Sequence, residues 1–342
     1  MRKLILLIIL ILYTCLISGQ NIVLNGNFEE FTMCPKELGA QEKPKVLKNV
    51  TNPNQGSFDF IHTCDDSNYP RYYWGEETPQ SGEGYTGISV FINSSNYDGG
   101  EYLQLQLKDS LTRGKIYHFE MYLSLADKTH IAINKLGVYF SNTFVQQNNP
   151  NTCRFKPDII SPNFYENKVG WEKYAGEYIA LGGEKYLIIG NFYSFKNTNI
   201  KILDSKAQIN DNYVYYFIDN VSLTVNNNLA LGIVLNNINF KSGKSELLID
   251  SFDELNKLIS VLEINPNYNI EIIGHTDNEG NDLDNLILSK NRAKTVADFL
   301  IQKGIKKERI TFFGLGCKKP INENDSNEGR AKNRRVEFLF KK

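Results

Sequence analysis

An acidic and a basic residue near the C-terminus are spaced so that they could hold the two charged ends of one small ligand. Asp277 follows an apolar segment that ends at Gly274, and Arg292 lies fifteen positions further on (277 to 292), in a segment with helical periodicity. A carboxylate binds an ammonium group, and a guanidinium binds a carboxylate through two parallel hydrogen bonds. The pair therefore predicts a binding site for a small zwitterion.

The residues around this pair predict alternating strands and helices. Strand patterns occupy residues 233–240, 270–273, 309–313 and 336–340, and helical patterns begin at Ser251 and before Ala293 and end near Asn265 and Gly304. This order predicts a sheet covered by helices, in which ligands bind where strand ends face helix starts. Asn285 and Ser289 lie near such a helix start, where backbone N–H groups favour an anion.

Three ordered sequence blocks resemble the C-terminal domain of the OmpA-like family. They are Gly274-His275-Thr276-Asp277, then Leu288-Ser289-Lys290-Asn291-Arg292-Ala293, then Gly329-Arg330-Ala331-Lys332-Asn333-Arg334-Arg335-Val336-Glu337-Phe338. Three blocks in order are far more specific than one short motif. The family binds peptidoglycan non-covalently, so the resemblance implies that residues 233–342 form a peptidoglycan-binding α/β domain, a sandwich of βαβαβ order.

The resemblance also implies which residues bind the cell wall. In the family, the residues that match Asp277 and Arg292 hold the diaminopimelate of the peptide stem. Further pocket residues implied in the same way are Thr276, Asn285, Leu288, Phe240 and Arg334. The loop after Phe240 departs from many members of the family, because Lys241 stands where they often have an acidic residue.

Taken without the resemblance, the same residues also permit a structural interpretation, in which Asp277 caps its loop and pairs with Arg292. His275 beside Asp277 suggests catalysis, but no nucleophile motif accompanies it, so we expect His275 to form hydrogen bonds within the sheet end. A basic cluster at residues 330–335 suggests nucleic acid. The formal net charge of the chain is −1, which lacks the strongly basic field that nucleic acid requires, so we expect no such partner.

Residues 21–225 predict an all-β domain. Apolar and polar residues alternate at residues 103–107 and 119–125, and further strand patterns occupy residues 186–192 and 213–223, with turn signals between them. This pattern predicts a β-sandwich.

The two ends of this region look like the jelly-roll sandwiches of the galactose-binding-like class. The region opens with Asn25-Gly26-Asn27-Phe28-Glu29 and closes with Tyr216-Phe217-Ile218-Asp219-Asn220-Val221-Ser222-Leu223. Many members are carbohydrate-binding modules with a structural calcium ion, so the resemblance makes Glu29 and Asp219 candidate calcium ligands. It also implies a glycan or an envelope protein as partner, and we expect no other cofactor.

Aromatic residues of this region have two interpretations. The segment Arg71-Tyr72-Tyr73-Trp74 and the side chain of Trp171 could stack on sugar rings. Burial statistics favour the alternative, in which these rings pack in the core or against a turn.

The N-terminus and the cysteines indicate export. Residues 1–20 contain a basic start, an apolar run over residues 4–17 and a small-residue cleavage site, which predict a signal peptide. A run of this length spans roughly 21 Å as a helix, less than the ~30 Å hydrocarbon core. We therefore expect the periplasm or outer membrane of a Gram-negative-type envelope. Under such oxidising conditions we expect Cys34 and Cys64 to pair, and Cys153 and Cys317 to stay free.

The chain is thus predicted to have two domains, residues 21–225 and 233–342, joined by a linker at 226–232. We expect a non-enzymatic envelope protein that tethers its N-terminal module or the outer membrane to peptidoglycan. Two alternatives stay open. One is a glycan-active enzyme targeted to the wall, which needs a catalytic pair within 21–225. The other is a stator-like tether with a retained N-terminal helix.

Overall fold

The computed structural model of the protein describes residues 19–36, 46–65, 74–94, 97–204, 213–226 and 238–341. The predicted signal peptide lies almost wholly outside the described residues. The same holds for most of the predicted linker and for most of the predicted strand at 233–240. None of the helices in the described ranges is both long enough and apolar enough to cross a membrane.

The N-terminal part is built from strands. They are β1 (Val50–Thr51), β2 (Asp59–His62), β3 (Gly84–Ser94), β4 (Tyr97–Gly99), β5 (Leu103–Gln106), β6 (Ile116–Leu125), β7 (Ile131–Ile133), β8 (Leu136–Ser141), β9 (Ile159–Ile160), β10 (Glu172–Ile179), β11 (Tyr186–Asn191), β12 (Ile200–Ile202) and β13 (Tyr213–Val225). One antiparallel sheet has the order β1-β5-β11-β8-β9, and a second has the order β10-β6-β13-β3-β2, with β4 paired to β3. β7 and β12 form a separate ribbon.

Both sheets contribute side chains to one buried core. Phe119 and Met121 of β6 alternate with less buried residues and face this core, which also contains Leu103 and Leu105 of the other sheet. Period-two alternation places one set of side chains on one sheet face, so two such sheets can bury their apolar faces against each other. The prediction that this region is mostly β-sheet is confirmed, and its jelly-roll connectivity stays a prediction.

A disulfide joins Cys34 to Cys64, with the two Cα atoms 6.0 Å apart. This pairing was predicted from the sequence and is confirmed. Cys153 and Cys317 carry free thiols, also as predicted. Burial raises the pKa of Cys153 to about 12, so its thiol is unreactive at neutral pH.

The C-terminal part alternates strands and helices. Its elements are α1 (Ser251–Ile264), β14 (Asn269–Gly274), α2 (Asp282–Gln302), β15 (Ile310–Gly314), α3 (Asn327–Asn333) and β16 (Val336–Lys341). β14 lies in the centre, parallel to β15 and antiparallel to β16. The Asn281 side chain accepts a hydrogen bond from Asp284 N–H and caps α2, and Gly304 follows the helix with a φ of 97°.

The N-terminal part packs against α1 of the C-terminal part. Ile116 of β6 and Ile179 of β10 belong to the same buried cluster as the apolar residues of α1. Lys257 of α1 places its Nζ atom 3.5 Å from an Asp158 carboxylate oxygen and 5.7 Å from the centre of the Tyr178 ring. Lys257 and Asp158 are both largely buried, so the contact combines apolar packing with a desolvated ion pair.

Candidate ligand-binding site

A pocket of about 540 Å³ opens where the C-terminal end of β14 meets the start of α2. Close packing of α2 against β14 shapes it: a Cβ atom on Gly274 would lie 2.0 Å from the Ser289 carbonyl oxygen. Only glycine therefore permits this approach. The pocket brings together all the residues predicted to bind the wall, namely Phe240, Thr276, Asp277, Asn285, Leu288, Arg292 and Arg334.

Asp277 is held by two partners on one side of the pocket. Its Oδ2 atom lies 2.7 Å from Nη1 of Arg334, and its Oδ1 atom accepts a hydrogen bond from Glu279 N–H at 3.2 Å. Asp277 is 7% exposed, whereas the Arg334 side chain is 42% exposed. Asp277 thus caps its loop, but its ionic partner is Arg334 and not Arg292.

Arg292 is a buried cation, with 4% of its surface exposed. Its Nε atom donates to the Lys244 carbonyl oxygen at 3.1 Å, and its guanidinium carbon lies 5.1 Å from the centre of the Phe240 ring. Burial lowers the pKa of Arg292, nearby Arg334 lowers it further, and Asp277 opposes both effects. Within the ranges that the structure describes, no carboxylate lies within the 4.0 Å ion-pair distance of this guanidinium.

Neutral groups complete the lining. The Thr276 Oγ1 atom is buried and has no hydrogen-bond partner among the described residues. The Asn285 side-chain amide donates to the Glu279 carbonyl oxygen at 3.0 Å, which holds the loop before α2. The Ser289 hydroxyl donates to the Leu286 carbonyl oxygen and accepts from Gly316 N–H. The Ser289 hydroxyl is therefore used within the fold, and Ser289 is not among the residues that line the pocket.

The loop between Phe240 and Leu248 forms a wall of the pocket that sequence reasoning missed. Phe240 forms an isolated bridge with Leu247, and Ser242, Gly243 and Leu248 line the cavity beside Arg292. The departure at Lys241 drew attention to this loop, but the side chain of Lys241 pairs with Glu246 instead of entering the pocket. The bridge between Phe240 and Leu247 closes the loop and so positions this wall, and no sequence motif indicates that bridge.

His275 does not line the pocket. It is 1% exposed, and its Nε2 atom lies 3.4 Å from a Glu337 carboxylate oxygen. Burial lowers the pKa of His275, and Arg335 lowers it further. Neither ring nitrogen forms a hydrogen bond with a described residue, so the expectation that the His275 side chain forms hydrogen bonds within the sheet end was wrong, and the ring is packed between β14 and β16 outside the pocket.

The two candidate calcium ligands both hold the loop at residues 80–84. Glu29 Oε1 accepts backbone N–H groups of this loop at 2.8 and 2.9 Å, and Asp219 Oδ2 accepts two more at 2.9 and 3.2 Å. Asp219 is fully buried, and burial raises its pKa to about 7. No group of three or more His, Cys, Asp or Glu side chains placed for a metal occurs among the described residues. Calcium binding stays a prediction.

Trp74 and Trp171 are both used in internal packing. Trp74 stacks on Tyr215 with ring centres 4.7 Å apart. Trp171 meets Tyr85 edge-on at 5.9 Å and donates its indole N–H to the Thr78 carbonyl oxygen. This arrangement agrees with the core interpretation for these two rings, while residues 71–73 lie outside the described ranges.

Residues 239–334 match the OmpA family. The chain therefore carries an OmpA family domain. The peptidoglycan-binding protein ArfA of Mycobacterium tuberculosis is 40% identical over 102 residues, which are 30% of this chain and 31% of that protein. The peptidoglycan-associated lipoprotein of Legionella pneumophila is 32% identical over 101 residues, which are 30% of this chain and 57% of that protein.

Solved structures also match about a third of the chain. The C-terminal domain of Helicobacter pylori MotB is 28% identical to this chain. The match covers 31% of this chain and 83% of the MotB domain, with a TM-score of 0.29. The chain thus spans about a third of the mycobacterial relative and little more than half of the Legionella one.

Proposed function

We propose that this protein binds peptidoglycan non-covalently through its OmpA family domain and so tethers its N-terminal module, or the outer membrane, to the cell wall. The buried Arg292 guanidinium, with no carboxylate partner among the described residues, carries this proposal. An ion that is buried without a counter-charge costs several kcal/mol. A fold that keeps such a cation beside a cavity is suited to a ligand that supplies an anion. Relatives named for peptidoglycan binding and peptidoglycan association support the same function.

The ligand that fits best is the free end of diaminopimelate, which bears an ammonium group and a carboxylate on one carbon. We propose that the carboxylate binds Arg292, with Arg334 at its side, and that the ammonium group binds Asp277. The hydroxyl of Thr276, buried without a partner, is available to either group. Phe240 supplies an apolar surface for the methylene chain of the ligand.

The distinction between wall types tests this assignment. Stem peptides with lysine at the same position present an ammonium group but no carboxylate, so they leave Arg292 without a counter-charge. We expect the protein to co-sediment with diaminopimelate-type sacculi and much more weakly with lysine-type sacculi. Equal binding to both would show that the carboxylate is not recognised.

Variants at the acidic end complete the test. Asp277→Asn keeps the size of the side chain and removes the charge that binds the ammonium group, so we expect binding to fall about 30-fold or more. Lys294→Ala is a matched control, because Lys294 is an exposed residue of α2 whose ion pair is with Asp298 of the same helix. Unchanged binding by Asp277→Asn would contradict the proposed site.

We further propose that the N-terminal part is a galactose-binding-like jelly-roll module of an exported, non-enzymatic protein. The Cys34–Cys64 disulfide supports an oxidising compartment such as the periplasm. Relatives named as lipoproteins and outer membrane porins support the outer membrane as a partner. The mass of the mature protein would establish whether the N-terminal segment is removed.

A further inference from the structure

Two arginines of one helical turn hold the loop that forms the acidic side of the ligand pocket. Arg334 pairs with Asp277, and Arg330 of α3 places its Nε atom 3.1 Å from a Glu279 carboxylate oxygen. The Arg334 N–H group donates to the Arg330 carbonyl oxygen at 3.1 Å. Residues four positions apart on a helix project from the same face, so the two guanidinium groups meet two acids of one loop.

Arg330 is not among the residues that line the pocket, whereas Glu279 and Arg334 both are. Its Nη1 atom donates to the Asn324 carbonyl oxygen at 2.8 Å, and its Nη2 atom donates to the Asn327 side-chain oxygen. All three guanidinium nitrogens thus have partners within the protein, and the side chain is 19% exposed. Arg330 is therefore fixed in place and does not reach a ligand itself.

The helix that carries Arg330 packs closely against the segment before it. A Cβ atom on Gly329 would lie 2.0 Å from the Glu323 carbonyl oxygen, so only glycine permits this approach. The fully buried Asn333 side chain accepts hydrogen bonds from two further backbone N–H groups of that segment, at 2.8 and 3.1 Å. α3 thus gives Arg330 a defined position from which it contacts Glu279.

Glu279 links Arg330 to two groups of the pocket through its own backbone. Its N–H group donates to Asp277 Oδ1 at 3.2 Å, and its carbonyl oxygen accepts the Asn285 side-chain amide at 3.0 Å. Gly280 follows with a φ of 91°, and the space where its Cβ would lie is open in the described part of the chain. Packing therefore does not hold the loop at this point, and the contacts of Glu279 fix its course.

We propose that Arg330 is a positioning residue of this site: through Glu279 it holds the Asp277 carboxylate in the orientation that takes the ammonium group of the ligand. This role rests on the proposed function and adds to it a residue that contacts no ligand atom. The Glu279 side chain is 70% exposed, so its ion pair contributes little to stability. Its effect is on binding, because a loop that is already ordered loses less conformational freedom when the ligand binds.

The test is titration calorimetry of the full chain with a soluble stem tripeptide, L-alanyl-γ-D-glutamyl-diaminopimelate. Arg330→Gln removes the cation that holds Glu279, so we expect binding to weaken about 3- to 10-fold, since the loop must then be ordered on binding. Arg330→Lys keeps the charge but not the fork geometry of the guanidinium, and it should retain part of the affinity. Lys332→Gln is the matched control, because it removes from the same helix an exposed cation that pairs with Glu328 of that helix; binding should stay at the parent value.

A double-mutant cycle separates positioning from a general loss of stability. In an Asp277→Asn background, the group that Arg330 orients has lost its charge, so Arg330→Gln should weaken binding no further. An equal loss in both backgrounds would show that Arg330 does not act through Asp277, and it would overturn the positioning role.

Binding by the parent protein distinguishes this role from the proposed function. If the parent fails to bind the tripeptide, both are overturned. If the parent binds and Arg330→Gln binds equally well, the positioning role alone is overturned and the proposed function stands.

Discussion

Replacing Arg292 with methionine should separate stability from binding. Methionine keeps an unbranched apolar stem in the same place and removes the buried charge. We expect the free energy of unfolding to stay within about 1 kcal/mol of the parent value or to rise, because replacing a buried ion by an apolar residue of similar volume is often neutral or stabilising. Peptidoglycan binding should be largely lost.

The magnitudes follow from the contacts of the side chain. The hydrogen bond from Arg292 Nε to the Lys244 carbonyl oxygen contributes ~1.5–3 kcal/mol, as a bond from a charged donor. The contact with the Phe240 ring contributes ~0.5–2 kcal/mol. Against these stands a desolvation cost of several kcal/mol for a cation that is 4% exposed. In the free energy of unfolding, these terms nearly cancel. In binding, the ligand carboxylate loses its partner entirely, which costs ~2–5 kcal/mol of binding free energy and lowers affinity about 30-fold to several-thousand-fold.

Urea unfolding and co-sedimentation with diaminopimelate-type sacculi should be measured on the same preparations. Lys294→Met is the matched control, because it removes an exposed charge from the same helix, and both measurements should stay at parent values. A loss of more than about 2 kcal/mol of stability by Arg292→Met, with normal binding by the folded fraction, would show that Arg292 is structural. The reasoning from a buried, unpaired cation would then be wrong.

Three further predictions concern the N-terminal part and its contact with α1. Replacing Cys34 and Cys64 with serine should lower its unfolding free energy by ~3–4 kcal/mol, because the disulfide closes a loop of 30 positions; an unchanged urea midpoint would contradict this. Lys257→Met leaves Asp158 buried without its cation, so calorimetry should show two separate transitions, and a single unchanged one would argue against docking through this pair. Burial raises the pKa of Glu101 to about 8 from 4.5. The folded state therefore binds protons more tightly than the unfolded state, so stability should fall as pH rises from 4.5 to about 8, and Glu101→Gln should flatten that slope in urea midpoints.

Much of the C-terminal part could be predicted because its signals are local. In α1, apolar residues recur at helical spacing, and in β16 buried residues alternate with less buried ones. Each pattern indicates the type of element and the face that it buries. The proximity of Asp277 and Arg292 to one pocket also followed, since a strand end and the next helix start meet in such a sheet. The pairing of Cys34 with Cys64 was predicted from the irregular sequence around both residues and an oxidising compartment.

Local sequence patterns were enough to predict which C-terminal segments are strands or helices and which side chains approach the ligand pocket, but the pairing of those side chains depends on how distant elements pack. Asp277 forms its ion pair with Arg334, 57 positions away. Arg334 lies between α3 and β16, and β16 pairs with β14, so the Arg334 guanidinium comes within 2.7 Å of the Asp277 carboxylate. The same holds for Glu279 and Arg330, which form an ion pair only because α3 lies beside the loop before α2. Periodicity records which way a side chain faces along its own element, whereas an ion pair or a cavity depends on distances between elements that only packing sets.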